Sequence, residues 1–350
     1  MIHTGFQSHR YNGISEATTI RPPATALLTI DSADRFQSQV QRRSTDSTAR
    51  NYSAYDFTIT KNESIMNGFF TRLAVSEVVF PWPIPNINEY TNKIIVRISD
   101  DDGNITETTI TIDNGFYTPS QLAQEIEDKV IEIGVPGIEF FNMYYGTIAD
   151  FSGAVVAESA FGYDASGSGA TVVGFLPVSY SDAPYYGNDQ ITQLFDLLGF
   201  NDGNNVAVEF GYGAPTYCQA TRYVDIVCPQ LTYNQALKDT SSQRTVRDAL
   251  CRIYLGVDGQ QTTVTTDSSD VQTTEYIPPG CAPTTIYRNF SVPKQVQWTP
   301  NQPVSGYLQF QVYDDNGILL SNSAALGNSA GFPNQNPGLD WSMTLLVTEN

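Results

Sequence analysis

A chain of 350 residues is long enough for one large domain or two smaller ones, and a formal net charge of −19 excludes a protein whose main surface grips nucleic acid or an anionic membrane, because such surfaces need a basic footprint. The 12% aromatic share, with 26 Gly and 19 Pro, suits many strands joined by chemically specified turns, so the fold class is all-β.

In chain order, residues 1–24 are polar, and Arg21-Pro22-Pro23 stops any regular element, so this stretch is expected to be an N-terminal arm that orders on contact with something else. Six arginines up to residue 50 stand against four carboxylates, a balance of +2 that leaves −21 for the remainder; a solvated arm accounts for this more simply than a nucleic-acid contact. Ala26–Ile30 is the first strand, and 34–51, rich in Ser, Thr, Gln and Arg without an apolar period, is a long loop. Tyr55–Thr60 alternates as a strand with Tyr55, Phe57 and Ile59 on one face.

Thr71–Phe80 is a strand whose far end, Val78-Val79-Phe80, is wholly apolar and so more deeply buried. Pro81-Trp82-Pro83-Ile84-Pro85 fixes three φ angles and removes three donors, so it turns the chain between sheets or presents a stiff edge to a neighbouring subunit, with Trp82 plugging the bend. Lys93–Ile98 and Ile105–Ile112 form a hairpin about the Asp100–Asn104 turn. Thr118-Pro119 opens a helix with capping-box spacing to Gln121, an apolar face of Leu122, Ile126, Val130 and Ile133, and Gly134 as its cap.

Ile138–Tyr145 and Thr171–Tyr180 are strand-like runs separated by a flexible Gly162–Gly169 loop, which lacks the strand, helix and lysine of a phosphate cradle. Asp189–Leu198 is a short amphipathic helix ended by Gly199, with Phe200 packing back on it. Tyr217–Val227 is a strand stopped by Pro229, 230–242 a polar crossing, and Thr245–Leu255 a strand interrupted at Arg247-Asp248. Residues 256–283 make a loop of a length that is either functional or without regular structure. Thr284–Val292, Val304–Tyr313, running into an Asp314–Gly317 turn, and Trp341–Val347 close the chain. No internal repeat is present. The domain plan is thus an arm, 1–24, and one domain, 25–350, with insertions or long loops around 138–213 and 256–283.

His3 and His9 are the only histidines, both in the arm, so a Ser-His-Asp, Cys-His or histidine-metal centre in the body is excluded by inventory. Cys218, Cys228, Cys251 and Cys281 show no metal spacing and are expected as buried thiols. The first residues lack a signal peptide's pattern and no run approaches a membrane span, so the chain is expected to be made in the cytosol, with Asn51, Asn62, Asn104 and Asn289 unmodified. Asp100–Asn104 is a hairpin turn rather than a calcium loop, since Gly103 is misplaced and no glutamate closes the frame. A carboxylate pair for glycoside hydrolysis is not readable from sequence; Asp314-Asp315 reads as a turn. Tyr144-Tyr145 and Tyr185-Tyr186 are either packing groups or a sugar platform.

Taken in order, eight segments resemble the penton, or vertex, capsid proteins of double-jelly-roll DNA viruses of eukaryotes: virophages, polinton-like viruses and their large-virus relatives. They are Thr29–Arg35, Asn51–Thr60, Val75–Asn88, Ile110–Ile126, Leu197–Phe200, Tyr223–Leu255, Tyr307–Leu320 and Asp340–Val347. The resemblance implies a single antiparallel jelly-roll β-sandwich with one or two short helices and long loop insertions, and a non-enzymatic homopentamer at the icosahedral vertex of a virion assembled in the host cytoplasm. It implies double-jelly-roll major capsid protein trimers as partners, with minor capsid or cement proteins and a genome contact by the arm as further expectations. No cofactor or metal is expected. Subunit or capsid contacts are assigned to Arg10, Arg21, Trp82, Pro83 and Pro85. The alternative function is a carbohydrate- or receptor-binding β-sandwich of a viral spike or fibre.

Overall fold

The computed structural model describes residues 8–11, 14–17, 25–36, 53–60, 70–100, 102–149, 152–168, 172–200, 208–233, 239–240, 246–256, 261–266, 272–297, 306–327 and 338–349. Eight strand positions build the main body: β1 (Thr25–Asp31), β2 (Asp56–Thr60), β3 (Phe70–Pro81), then, after a long insertion, the strands of 223–349. The insertion contributes β4 (Lys93–Ser99), β5 (Ile105–Thr111), α1 (Pro119–Glu132), β6 (Asn142–Ala149), β7 (Val155–Asp164), β8 (Val172–Leu176), α2 (Leu194–Leu197) and β9 (Phe210–Tyr212). The body resumes with β10 (Tyr223–Val227) and β11 (Ala249–Tyr254), followed by the hairpin β12 (Gln261–Thr266) and β13 (Gln272–Ile277). The chain ends with β14 (Thr285–Asn289), β15 (Gln295–Gln297), β16 (Tyr307–Asp314) and β17 (Ser342–Glu349).

One sheet runs β14, β3, β17, β1, with β15 also on β3; the other runs β11, β10, β16, β2. Counting β14 and β15 as one position, the first strand pairs the eighth, the second the seventh, the third the sixth and the fourth the fifth. This nested antiparallel order, divided between two sheets, is a jelly roll. Alternation along the strands fills the space between the sheets: β16 buries Leu308, Phe310 and Val312, and β17 buries Met343, Leu345 and Val347. At the centre Phe57 stacks on Phe310 at 5.5 Å, and Trp341 meets the Phe57, Phe310 and Phe80 rings at 5.7, 6.3 and 6.3 Å.

The insertion has its own apolar cluster, shared by the β8-β4-β5 sheet, the β9-β7-β6 sheet, α1 and α2. The helix starts as its capping box requires: Gln121 N donates to Thr118 Oγ1 at 3.2 Å and Thr118 N to Gln121 Oε1 at 3.0 Å. Leu122, Ile126 and Val130 are its buried face. Gly134 follows at φ +75°, a conformation that suits glycine.

Several local expectations are corrected. Gly162 to Asp164 belongs to β7 rather than to a loop, and Ile138–Phe140 is a 3₁₀ turn ahead of β6. The helix expected from Asp189 covers only Leu194–Leu197. Gln193 is clamped to Val178, accepting from its N–H and donating to its C=O, both at 3.0 Å, and stays extended until the helix begins. The strand expected from Tyr217 begins at Tyr223, since Cys218 is left-handed at φ +56°. Gln261–Thr266 and Gln272–Ile277 pair where a loop was expected; β-branched Thr and Val outweigh the polarity of the stretch. Ser8–Tyr11 pairs with Ile14–Ala17 inside the arm, the intervening Asn12-Gly13 being a strong hairpin dipeptide. The break at Arg247-Asp248 is present, as a two-residue strand, Val246–Arg247, before β11.

Candidate functional site

Strand β3 ends at the proline corner, and the corner is the joint between jelly roll and insertion. Trp82 N donates to Thr284 O at 2.8 Å, one step past the last β3–β14 pair, and its indole N–H donates to Ile84 O at 2.9 Å. Trp82 is 2% exposed and lies in the sandwich core; Pro83 and Pro85 are half-buried. Beyond them Asn86 makes reciprocal bonds with the Tyr117 backbone, donating to its C=O and accepting from its N–H, both at 2.9 Å. Thr91 Oγ1 donates to Asn86 O at 2.7 Å, Asn88 Nδ2 to Pro85 O at 2.9 Å, and Tyr185 Oη to Tyr90 O at 2.5 Å. Two amide side chains, Asn86 and Asn88, and two hydroxyls, Thr91 and Tyr185, thus hydrogen-bond to backbone groups around the corner.

The same joint receives two other segments. Cys218, on the way into β10, and Cys281, between β13 and β14, both place sulfur against Asn86 Nδ2, at 3.4 and 3.5 Å. None of the four cysteines is in a disulfide and all are buried, as the sequence leads one to expect. Burial pushes the Cys228 and Cys251 thiols up to about 12.

Carboxylates of the sandwich serve structural roles. Asp225, fully buried on β10, accepts both prongs of the Arg252 guanidinium at 2.7 and 2.8 Å, and that guanidinium lies 3.9 Å from the Tyr223 ring centre. Hydrogen bonding and proximity to Asp225 hold the Arg252 pKa above its ordinary value. Asp314 caps the turn it was assigned to, accepting from Ile318 N at 2.7 Å, while Asp315 accepts from Arg222 N and Nε at 3.2 and 3.1 Å. Burial raises the carboxyl pKa of Asp315 above the ordinary range, the Arg222 contacts opposing this. Asp100 Oδ1 accepts from the N–H groups of Asp102 and Asn104, as in a hairpin turn.

Among the described residues no group of three His, Cys, Asp or Glu side chains is gathered to hold a metal ion, and no helix is long and apolar enough to cross a membrane. Of the tyrosines considered as a sugar platform, Tyr185 is buried, Tyr145 donates its hydroxyl to Thr216 O at 2.9 Å, and Tyr144 is half-buried; Tyr186 is 72% exposed. Of the assigned contact residues, Trp82, Pro83 and Pro85 are adjacent at the joint. Arg10 sits on the arm hairpin, remote in sequence from them, and Arg21 lies outside the described residues.

A second junction is not apparent from sequence alone. Buried Arg35 donates to Ser32 O at 2.7 Å and pairs with Asp340, whose carboxylate also accepts from Ser32 Oγ at 3.1 Å. Trp341 N donates to Ser32 Oγ at 2.9 Å and its indole N–H to Ala54 O at 2.7 Å. Its signal was present only as two charged residues in segments some 300 positions apart, and nothing local announces that they meet.

No family model and no curated protein matches the chain. Among solved structures it is similar to the crystal structure of the selenomethionine-labelled mavirus penton protein, with a TM-score of 0.44 and 10% sequence identity, covering 94% of this chain and 100% of that one.

Proposed function

We propose that this chain is a non-enzymatic structural protein of a viral capsid, assembling as a homopentamer at icosahedral vertices. The observation that carries the reading is the convergence of the segments that resemble vertex proteins. Thr29–Arg35 and Asp340–Val347 join through the β1–β17 ladder and the Arg35–Asp340 pair. Asn51–Thr60 pairs with Tyr307–Leu320 through β2 and β16, and β16 in turn pairs with β10 of Tyr223–Leu255. An ordered set of scattered motifs that closes into one jelly roll supports common descent of the whole body better than any one motif would, and the jelly roll is a frequent capsid solution.

A five-fold ring closes by heterologous side-to-side contacts. The half-buried Pro83 and Pro85 offer the stiff part of such a contact, with Trp82 bracing them from inside. The arm, bearing Arg10 and Arg21, ties the ring to inner or neighbouring capsid proteins, with genome contact as a lesser role. Partners on this reading are double-jelly-roll major capsid trimers, and minor or cement proteins; the site of action is the vertex of a virion assembled in the host cytoplasm.

Native mass measurement of the purified protein, together with its position in assembled particles, tests this. Five copies and a vertex location are expected; a stable monomer absent from virions overturns it. Exposed Tyr186 and Tyr217 keep a glycan array worthwhile, since strong binding there would favour a receptor-binding spike module.

A further inference from the structure

Asn86 Nδ2 carries two hydrogens and has four acceptors around it. One hydrogen is directed to Tyr117 O at 2.9 Å. The other is left to Cys218 O at 3.4 Å, Cys218 Sγ at 3.4 Å and Cys281 Sγ at 3.5 Å. Both sulfurs thus lie within 3.5 Å of the same amide nitrogen. Cys281 Sγ also faces the Cys218 residue itself, 3.6 Å from its carbonyl oxygen.

We propose that Cys218 and Cys281 are a redox-modifiable pair that closes to a disulfide when the protein meets a peroxide or a disulfide oxidant. The bond joins the segment returning from the insertion to the segment leading into β14, across the corner that holds Asn86. In the reaction one thiol loses its proton and attacks the oxidant. The resulting sulfenic acid, or mixed disulfide, is then displaced by the second sulfur. Two hydrogens and two electrons leave the protein, reducing hydrogen peroxide to two waters or glutathione disulfide to two glutathiones. All four thiols are buried, and what sets Cys218 and Cys281 apart is that both sulfurs meet one amide nitrogen.

The full-length chain, purified under reducing conditions, is treated with hydrogen peroxide or glutathione disulfide, then unfolded and alkylated. Thiols are expected to fall from four to two, with a linked Cys218–Cys281 peptide, intact mass lower by two hydrogens, and a higher melting temperature that dithiothreitol reverses. C218S and C281S should each keep three thiols under the same treatment; if one fails to fold, the other serves alone. Four thiols surviving, glutathione adducts without an internal bond, or a different linked pair overturns the proposal.

Discussion

At the residue scale, Asp225 places a carboxylate in the interior of the sandwich. Its carboxylate is fully buried and accepts two hydrogen bonds from the Arg252 guanidinium. Arg252→Met removes the guanidinium that both pairs with the buried carboxylate and lies over the Tyr223 ring, which is expected to cost about 3–5 kcal/mol in chemical denaturation. Adding Asp225→Asn should recover much of that loss, because the penalty belongs to the stranded charge.

Tyr55, Cys228 and Cys251 set a second expectation at this scale. Burial pushes all three up to about 12, against ordinary values of 10.0 for the phenol and 9.0 for the thiols. Between those values and about 12 the folded chain keeps protons that the unfolded chain has lost. Stability therefore falls as pH rises, by about 1.4 kcal/mol per pH unit for each such group. Denaturation midpoints should drop steeply from pH 9 to 12 and be insensitive to these groups below pH 8. Cys251→Ala should make the alkaline slope shallower by one group's share.

At the element scale, the proline corner owes its rigidity to what stands behind it. Trp82 fills core space and extends the β3–β14 ladder by one bond, so the corner is part of the sandwich before it is a surface. Trp82→Ala is expected to lower the stability of the single subunit by about 3–5 kcal/mol, as for other large buried aromatics. Urea titration at subunit concentrations too low for assembly reads this; an unchanged midpoint together with a lost oligomer would instead assign Trp82 to a subunit contact. The α1 capping box and the Asp100–Asn104 turn needed only adjacent residues, and both were legible in sequence. The truncated α2 was not, because its start is set by Gln193 holding Val178, 15 positions away. The β12–β13 pair was missed for the converse reason: threonine is polar, yet its branched Cβ favours a strand.

At the scale of the whole molecule, the two apolar clusters are not sealed from each other. Ile84, Tyr90, Tyr185 and Ile191, all from the insertion, pack in the sandwich cluster, and Ile277 and Cys281, from the body, pack in the insertion cluster. We expect 25–350 to unfold as one cooperative unit, giving a single calorimetric transition whose calorimetric and van't Hoff enthalpies agree. Two resolved transitions would make the insertion an independent domain.

The amino-acid sequence by itself determined the β class, most of the sandwich strands, the helix cap, the corner and the absence of histidine from the body. Each of these depends on short-range pattern, on alternation, proline and glycine geometry, or on inventory. Only the tertiary structure decided the order of strands within the two sheets, the pairing of Arg35 with Asp340 and the meeting of Cys218 with Cys281 at Asn86. Such contacts join residues far apart along the chain, and their energy comes from burial and partner geometry that no local window contains.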